Sequence, residues 1–140
     1  IICQNPLNFF PGIAIGPIED FGHAHNYDGT DARVVKLEIK GKIVSSLYLG
    51  GCIFEPQKNG AYEVLARFHE LPEKPPAIVY GQYGQGSWLL SSIHPEYDSE
   101  AIQLMSFNVV GNDYKDFLQL NKSPDLNLDT LDYLLARLLG

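Results

Sequence analysis

Long apolar runs are missing from this sequence: none approaches the 18 or more residues that a membrane-spanning helix requires, which excludes a membrane protein of that kind. Ile1-Ile2-Cys3-Gln4 lacks the basic flank and apolar stretch of a secretory signal, and a cytoplasmic chain is expected. Positive charge is also scarce. Ten Lys and Arg stand against seventeen Asp and Glu, the net charge is −7, and the basic residues are scattered. Recognition of a phosphate backbone needs a clustered basic face that releases counterions, so no nucleic-acid partner is expected. Cysteine is limited to Cys3 and Cys52. They can form one bridge at most, and without a sign of secretion both are read as reduced thiols. Repeats, low-complexity tracts and convincing internal linkers are absent too. The 140 residues, 45% apolar and 19% charged, therefore read as one domain over 1–140. The chain does not open on Met and its first residues already read as domain interior, so a fragment is expected.

What is present falls into three stretches. The first third is punctuated by Pro6, Pro11, Gly12, Gly16, Pro17, Gly22 and Gly29, leaves no helical or alternating period intact, and reads as loop. From Arg33 the pattern becomes β. Val34, Val35, Leu37 and Ile39 run to a turn at Lys40-Gly41-Lys42, and Ile43 to Leu49 resumes, which signals a hairpin. After the turn-rich stretch from Glu55 to Gly60 come strands at Tyr62 to Phe68, at Ala77 to Tyr80 and, past Gly84-Gln85-Gly86, at Ser87 to Ile93. Pro72, Pro75 and Pro76 separate the first two of these, because proline donates nothing to a ladder. The remainder is helical, over 99–107, more weakly over 114–120, and most clearly at the end. There Leu128, Leu131, Leu134, Leu135, Leu138 and Leu139 define one face that should dock on the sheet, with Asn127 or Asp129 as N-cap.

The tripeptide carrying most chemistry is His94-Pro95-Glu96, placed where the last strand ends. An imidazole and a carboxylate two positions apart can face the same side. The carboxylate then holds the ring's tautomer while the other ring nitrogen accepts a proton from a nucleophile. The blander reading is a His and a Glu that end a strand in solvent. His23 and His25 near Asp20, Asp28 and Asp31 are a poor ligand set in a glycine-rich loop, so no metal site is expected. Phe9, Phe10, Phe21, Tyr27, Tyr48 and Trp88 either line a pocket beneath His94 or, as aromatics more often do, fill the core.

In order along the chain, Phe9-Phe10-Pro11-Gly12 with Gly16-Pro17, Ala32 to Leu37, Tyr48-Leu49-Gly50-Gly51-Cys52-Ile53-Phe54, Val64 to Arg67 and the Gly84 to Tyr97 stretch resemble one family. It is the amidotransferase-like N-terminal domain of biotin-protein ligases, within the class I glutamine amidotransferase-like superfamily. The resemblance covers roughly residues 7 to 98, about two-thirds of the chain, and corresponds to the C-terminal portion of the domain. It implies an α/β fold: a class I glutamine amidotransferase-like (flavodoxin-like) sheet with β-hairpins and a C-terminal helix. It also implies a triad of an elbow Cys with His94 as base and Glu96 as orienting acid. In such enzymes the thiolate attacks the glutamine amide and backbone N–H groups hold the oxyanion.

In the family the elbow Cys lies upstream of the Phe-Phe-Pro-Gly segment, so the elbow half of the domain is expected to be missing here. Cys3 has no glycine neighbours, and Cys52 follows Gly50-Gly51 but precedes a stretch that forbids a helix, so Cys52 reads as a small buried side chain. The expectation is a binding or regulatory domain, amidotransferase-like without an identifiable nucleophile. The alternative is an active amidotransferase or hydrolase whose Cys lies in an upstream segment. The glycine- and arginine-rich loop that such ligases use for biotinyl-adenylate is nowhere present, so neither biotin ligation nor a cofactor is expected. An incomplete domain exposes a sheet edge, so a second chain or the missing N-terminal segment is the expected partner, with a small-molecule ligand near His94.

Overall fold

The computed structural model describes residues 9–21, 32–57, 59–98, 100–101 and 129–140, with the backbone alone at Ile2–Cys3 and at residue 32. Eight strands fall within them: β1 (Ile2–Cys3), β2 (Gly12–Ile15), β3 (Ala32–Ile39), β4 (Lys42–Leu49), β5 (Ile53–Pro56), β6 (Tyr62–Phe68), β7 (Pro76–Tyr83) and β8 (Gly86–Ser91). A short 3-10 turn lies at Glu19–Phe21, and helix α1 spans Asp129–Leu139. The strands form a three-stranded sheet in the order β1-β2-β5 and a five-stranded sheet in the order β4-β3-β6-β7-β8.

Local chemistry accounts for the hairpins. Between Ile39 and Lys42, which pair directly, Lys40 and Gly41 both adopt positive φ (50° and 74°), the turn whose twist matches that of the flanking strands. Gly84, at φ 61°, opens the equally short turn that pairs Tyr83 with Gly86. Pro76 sits at the first position of β7, where its missing N–H costs the ladder least.

Strand β7 runs between two cores, because successive side chains point to opposite faces. Ile78 and Tyr80 join a cluster with Val35, Leu37, Phe68, Tyr48 and Leu134. Val79 joins a second cluster with Phe10, Phe54 and Trp88, which binds the three-stranded sheet to the larger one. Side chains as fully covered as Phe68 and Ile78 contribute roughly 1.5–3 kcal/mol each relative to exposure.

Every ladder among the described residues is antiparallel. The α/β expectation holds in this coarse form, a mostly antiparallel sheet with hairpins and a C-terminal helix, but the described strands do not form a flavodoxin-like parallel sheet. Instead the larger sheet curls into a half-barrel. β4 and β8 are its two edges, yet beyond β8 the chain bends and His94 makes an isolated antiparallel bridge to Leu47 in β4.

Three readings need correction. β2 lies in the stretch read as loop and β5 ends inside the one read as turn, because Pro11, Gly12, Gly16 and Pro56 hide strands of only four residues. The last strand stops at Ser91 rather than Ile93, the chain bending at Ser92 to reach β4. The leucine face of α1 is only partly used. Leu134 is buried, Leu138 packs on the same core, and Leu135 and Leu139 are 44% and 82% exposed, each about 100° around the helix from its docked neighbour. Helices expected over 99–107 and 114–120 fall almost wholly outside the described residues, as does Leu128.

Candidate functional site

Where the two sheet edges meet, the backbone fixes His94. Its N–H donates to the Leu47 carbonyl at 2.8 Å, and one residue earlier the Ser91 hydroxyl donates to the Ile93 carbonyl at 2.8 Å. Pro95 is buried and limits the following bend, so that Glu96 turns back towards the ring. His94 Nδ1 and Glu96 Oε1 lie 2.7 Å apart. The expected pairing is thus present in space. An ionised carboxylate only accepts, so this contact puts a proton on Nδ1, and in the neutral form of the ring the lone pair then lies on Nε2. Tyr97 stands edge-on to the imidazole with ring centroids 6.0 Å apart. The side chains of His94 and Glu96 are 38% and 48% exposed, so a ligand can reach them from solvent.

Sequence reasoning missed the residues behind this pair. Ser92 is buried, and its hydroxyl accepts the Cys52 N–H at 3.0 Å, donates to the Cys52 carbonyl and lies 3.4 Å from Cys52 Sγ. Gly51 permits that approach, since a Cβ there would overlap the Ser92 carbonyl oxygen. Tyr48, wholly buried, donates its hydroxyl to the Gly51 carbonyl at 3.0 Å and accepts the Ile18 N–H at 3.1 Å. The paired glycines before Cys52 were the available signal. They mark a close backbone approach, but a sequence does not name the segment that approaches.

Cys52 is half-buried and leads through the turn into β5, an extended strand and not a helix. Its turn therefore offers no row of helix N-terminal N–H groups for an oxyanion. Of the aromatics, Phe21 packs edge-on against Tyr48 and Phe68, and Phe9 and Phe10 lie against Trp88, so these rings are core. Tyr27, His23, His25, Asp28 and Asp31 lie outside the described residues, and Asp20 is exposed. Among the described residues no group of three His, Cys, Asp or Glu could hold a metal ion, and no helix is long and apolar enough to cross a membrane.

A hydrogen bond from Lys74, reinforced by its charge, holds the Glu38 carboxyl below the usual carboxylate range. Burial raises the Tyr133 phenol, and the hydrogen bond and charge of Glu63 raise the Arg137 guanidinium, which also lies over the Tyr80 ring.

Curled antiparallel sheet, glycine turn and a contacting His94–Glu96 pair at the seam together define a small α/β domain. Comparison with known proteins is more specific: the family model for the N-terminal domain of biotin-protein ligase matches residues 1–139, and the chain belongs to that family. It is 34% identical over 113 residues to an uncharacterised protein of Chlamydia muridarum (strain MoPn / Nigg), covering 79% of this chain and 43% of that protein. It is 30% identical over 113 residues to a biotin-protein ligase of Schizosaccharomyces pombe (strain 972 / ATCC 24843), covering 75% of this chain and 17% of the ligase. The chain thus spans less than half the length of these curated relatives. No solved structure matches it.

Proposed function

We propose that this domain is a glutamine amidotransferase-like module with a binding or regulatory role, catalytically incomplete because neither of its cysteines meets the demands on the nucleophile. The observation that carries the reading is the 2.7 Å contact of His94 Nδ1 with Glu96 Oε1, a base held by its orienter. Against it stands Cys52, whose amide and carbonyl are engaged by Ser92 in a turn that leads to a strand. Acyl transfer needs a thiolate on the free side of the imidazole and paired N–H donors where the oxyanion forms. With neither found among the described residues, the partly exposed His94 ring serves as a hydrogen-bonding group for a small polar ligand or a linked domain. On this reading the described strands are the C-terminal portion of an amidotransferase-like domain, with flavodoxin-like strands contributed by other polypeptide, in this chain or a second one.

A second reading is favoured by the partial exposure of His94 and Glu96, which lets a thiol reach them from outside these 140 residues. The domain then forms half of an active amidotransferase or hydrolase. Ammonia release from glutamine tests the first reading. The purified chain should release no more than its His94→Ala variant, and a rate that disappears in that variant would overturn it.

A further inference from the structure

We infer that Ser92 is a positioning residue for His94, tying the imidazole's loop to the Gly51–Cys52 turn so that the ring meets Glu96. The inference rests on His94 as the site's base and deepens the reading above by assigning what holds that base in place.

The geometry carries it in three steps. Ser92 is the residue at which the chain leaves β8: its N–H still donates to Ala77 in β7 at 2.9 Å, whereas two residues later His94 is bonded to β4. Between these anchors the chain must bend. Within the bend the Ser91 hydroxyl holds the Ile93 carbonyl, and the one hydroxyl of Ser92 reaches across to grip Cys52 by both its N–H and its carbonyl. Finally, the two backbones meet so closely at Gly51 that no other residue fits without displacement, and Tyr48 clamps the far side of the same turn.

A buried serine that holds only a loop would affect stability alone. One that positions the base must also change the imidazole itself. Removing the hydroxyl frees the bend, the Nδ1 to Glu96 contact is no longer enforced, and the ring averages over both tautomers as it does in water.

The test is the long-range proton–nitrogen spectrum of the imidazoles in the full 15N-labelled chain, with His94→Ala to assign the signal. Wild type should show His94 in one tautomer, protonated at Nδ1. Ser92→Ala should shift it towards a mixture while the amide spectrum elsewhere stays folded, and Ser92→Thr, which keeps the hydroxyl, should restore it. Ser92→Cys preserves volume but bonds weakly, and serves if the alanine variant does not fold. A folded Ser92→Ala or Ser92→Cys protein with an unchanged His94 tautomer overturns the inference. Ammonia release dependent on His94 would overturn the proposed function and leave this one standing, so the two fail separately.

Discussion

Gly51→Ala places a single methyl group at the seam, and its cost follows from the geometry. The added carbon would overlap the Ser92 carbonyl oxygen and stand 2.9 Å from its carbon and 3.2 Å from a Tyr48 ring atom, whereas ordinary contact begins near 3.4 Å. The nearest atoms are backbone, so relief requires the seam to part by more than an ångström. Overpacking of this kind costs about 2–3 kcal/mol, a large fraction of a small domain's stability. The separation should also break the His94 N–H to Leu47 bond. Gly84→Ala is the control: a Cβ there meets nothing within 4 Å, and only the positive φ is penalised, by roughly 1 kcal/mol. Urea unfolding followed through the single tryptophan, Trp88, gives the stabilities, and amide exchange gives the protection of His94. Gly51→Ala should lose both stability and His94 protection, and Gly84→Ala should lose only a little of the first. A Gly51→Ala protein within about 0.5 kcal/mol of wild type, with the His94 amide still protected, would refute the seam as described.

Tyr48→Phe keeps the buried ring but leaves the Ile18 N–H and the Gly51 carbonyl without their hydroxyl partner, so a loss of roughly 1–3 kcal/mol in urea unfolding is expected. Glu38 has its carboxyl lowered by Lys74, so the stability it contributes is present above the ordinary carboxylate range and lost as pH falls through its own depressed value. Lys74→Ala should therefore flatten the decline in melting temperature on acidification below about pH 5, and an unchanged slope would show that the pair contributes nothing.

The sequence made the long strands legible because β-rich runs, alternating in β3, flank a glycine turn, and the family was legible through several short motifs in order. The spacing of His94 and Glu96 allows their contact, since both lie within one bend, but it was the family resemblance that singled the pair out. The small sheet was not legible. Strands β2 and β5 are each four residues long and contain or abut prolines, so their pattern is too short to register against the loop signals around them. The contacts of Ser92 with Cys52 and of Tyr48 with Ile18 escaped for another reason: they join segments 40 and 30 residues apart, and no local pattern encodes which distant backbone will arrive. The leucines of α1 illustrate the converse, a periodicity real enough to make the helix but wider than the face the core has room to cover.

The protonation pattern of the His94 imidazole at neutral pH in the intact chain addresses the central proposition most directly. Nitrogen resonances placing the proton on Nδ1, and reverting to a solvent-like mixture in Glu96→Gln, are predicted for a ring held at the seam by its neighbouring carboxylate. A ring that already averages between its two nitrogens in the wild-type protein, or one unmoved by Glu96→Gln, would contradict it.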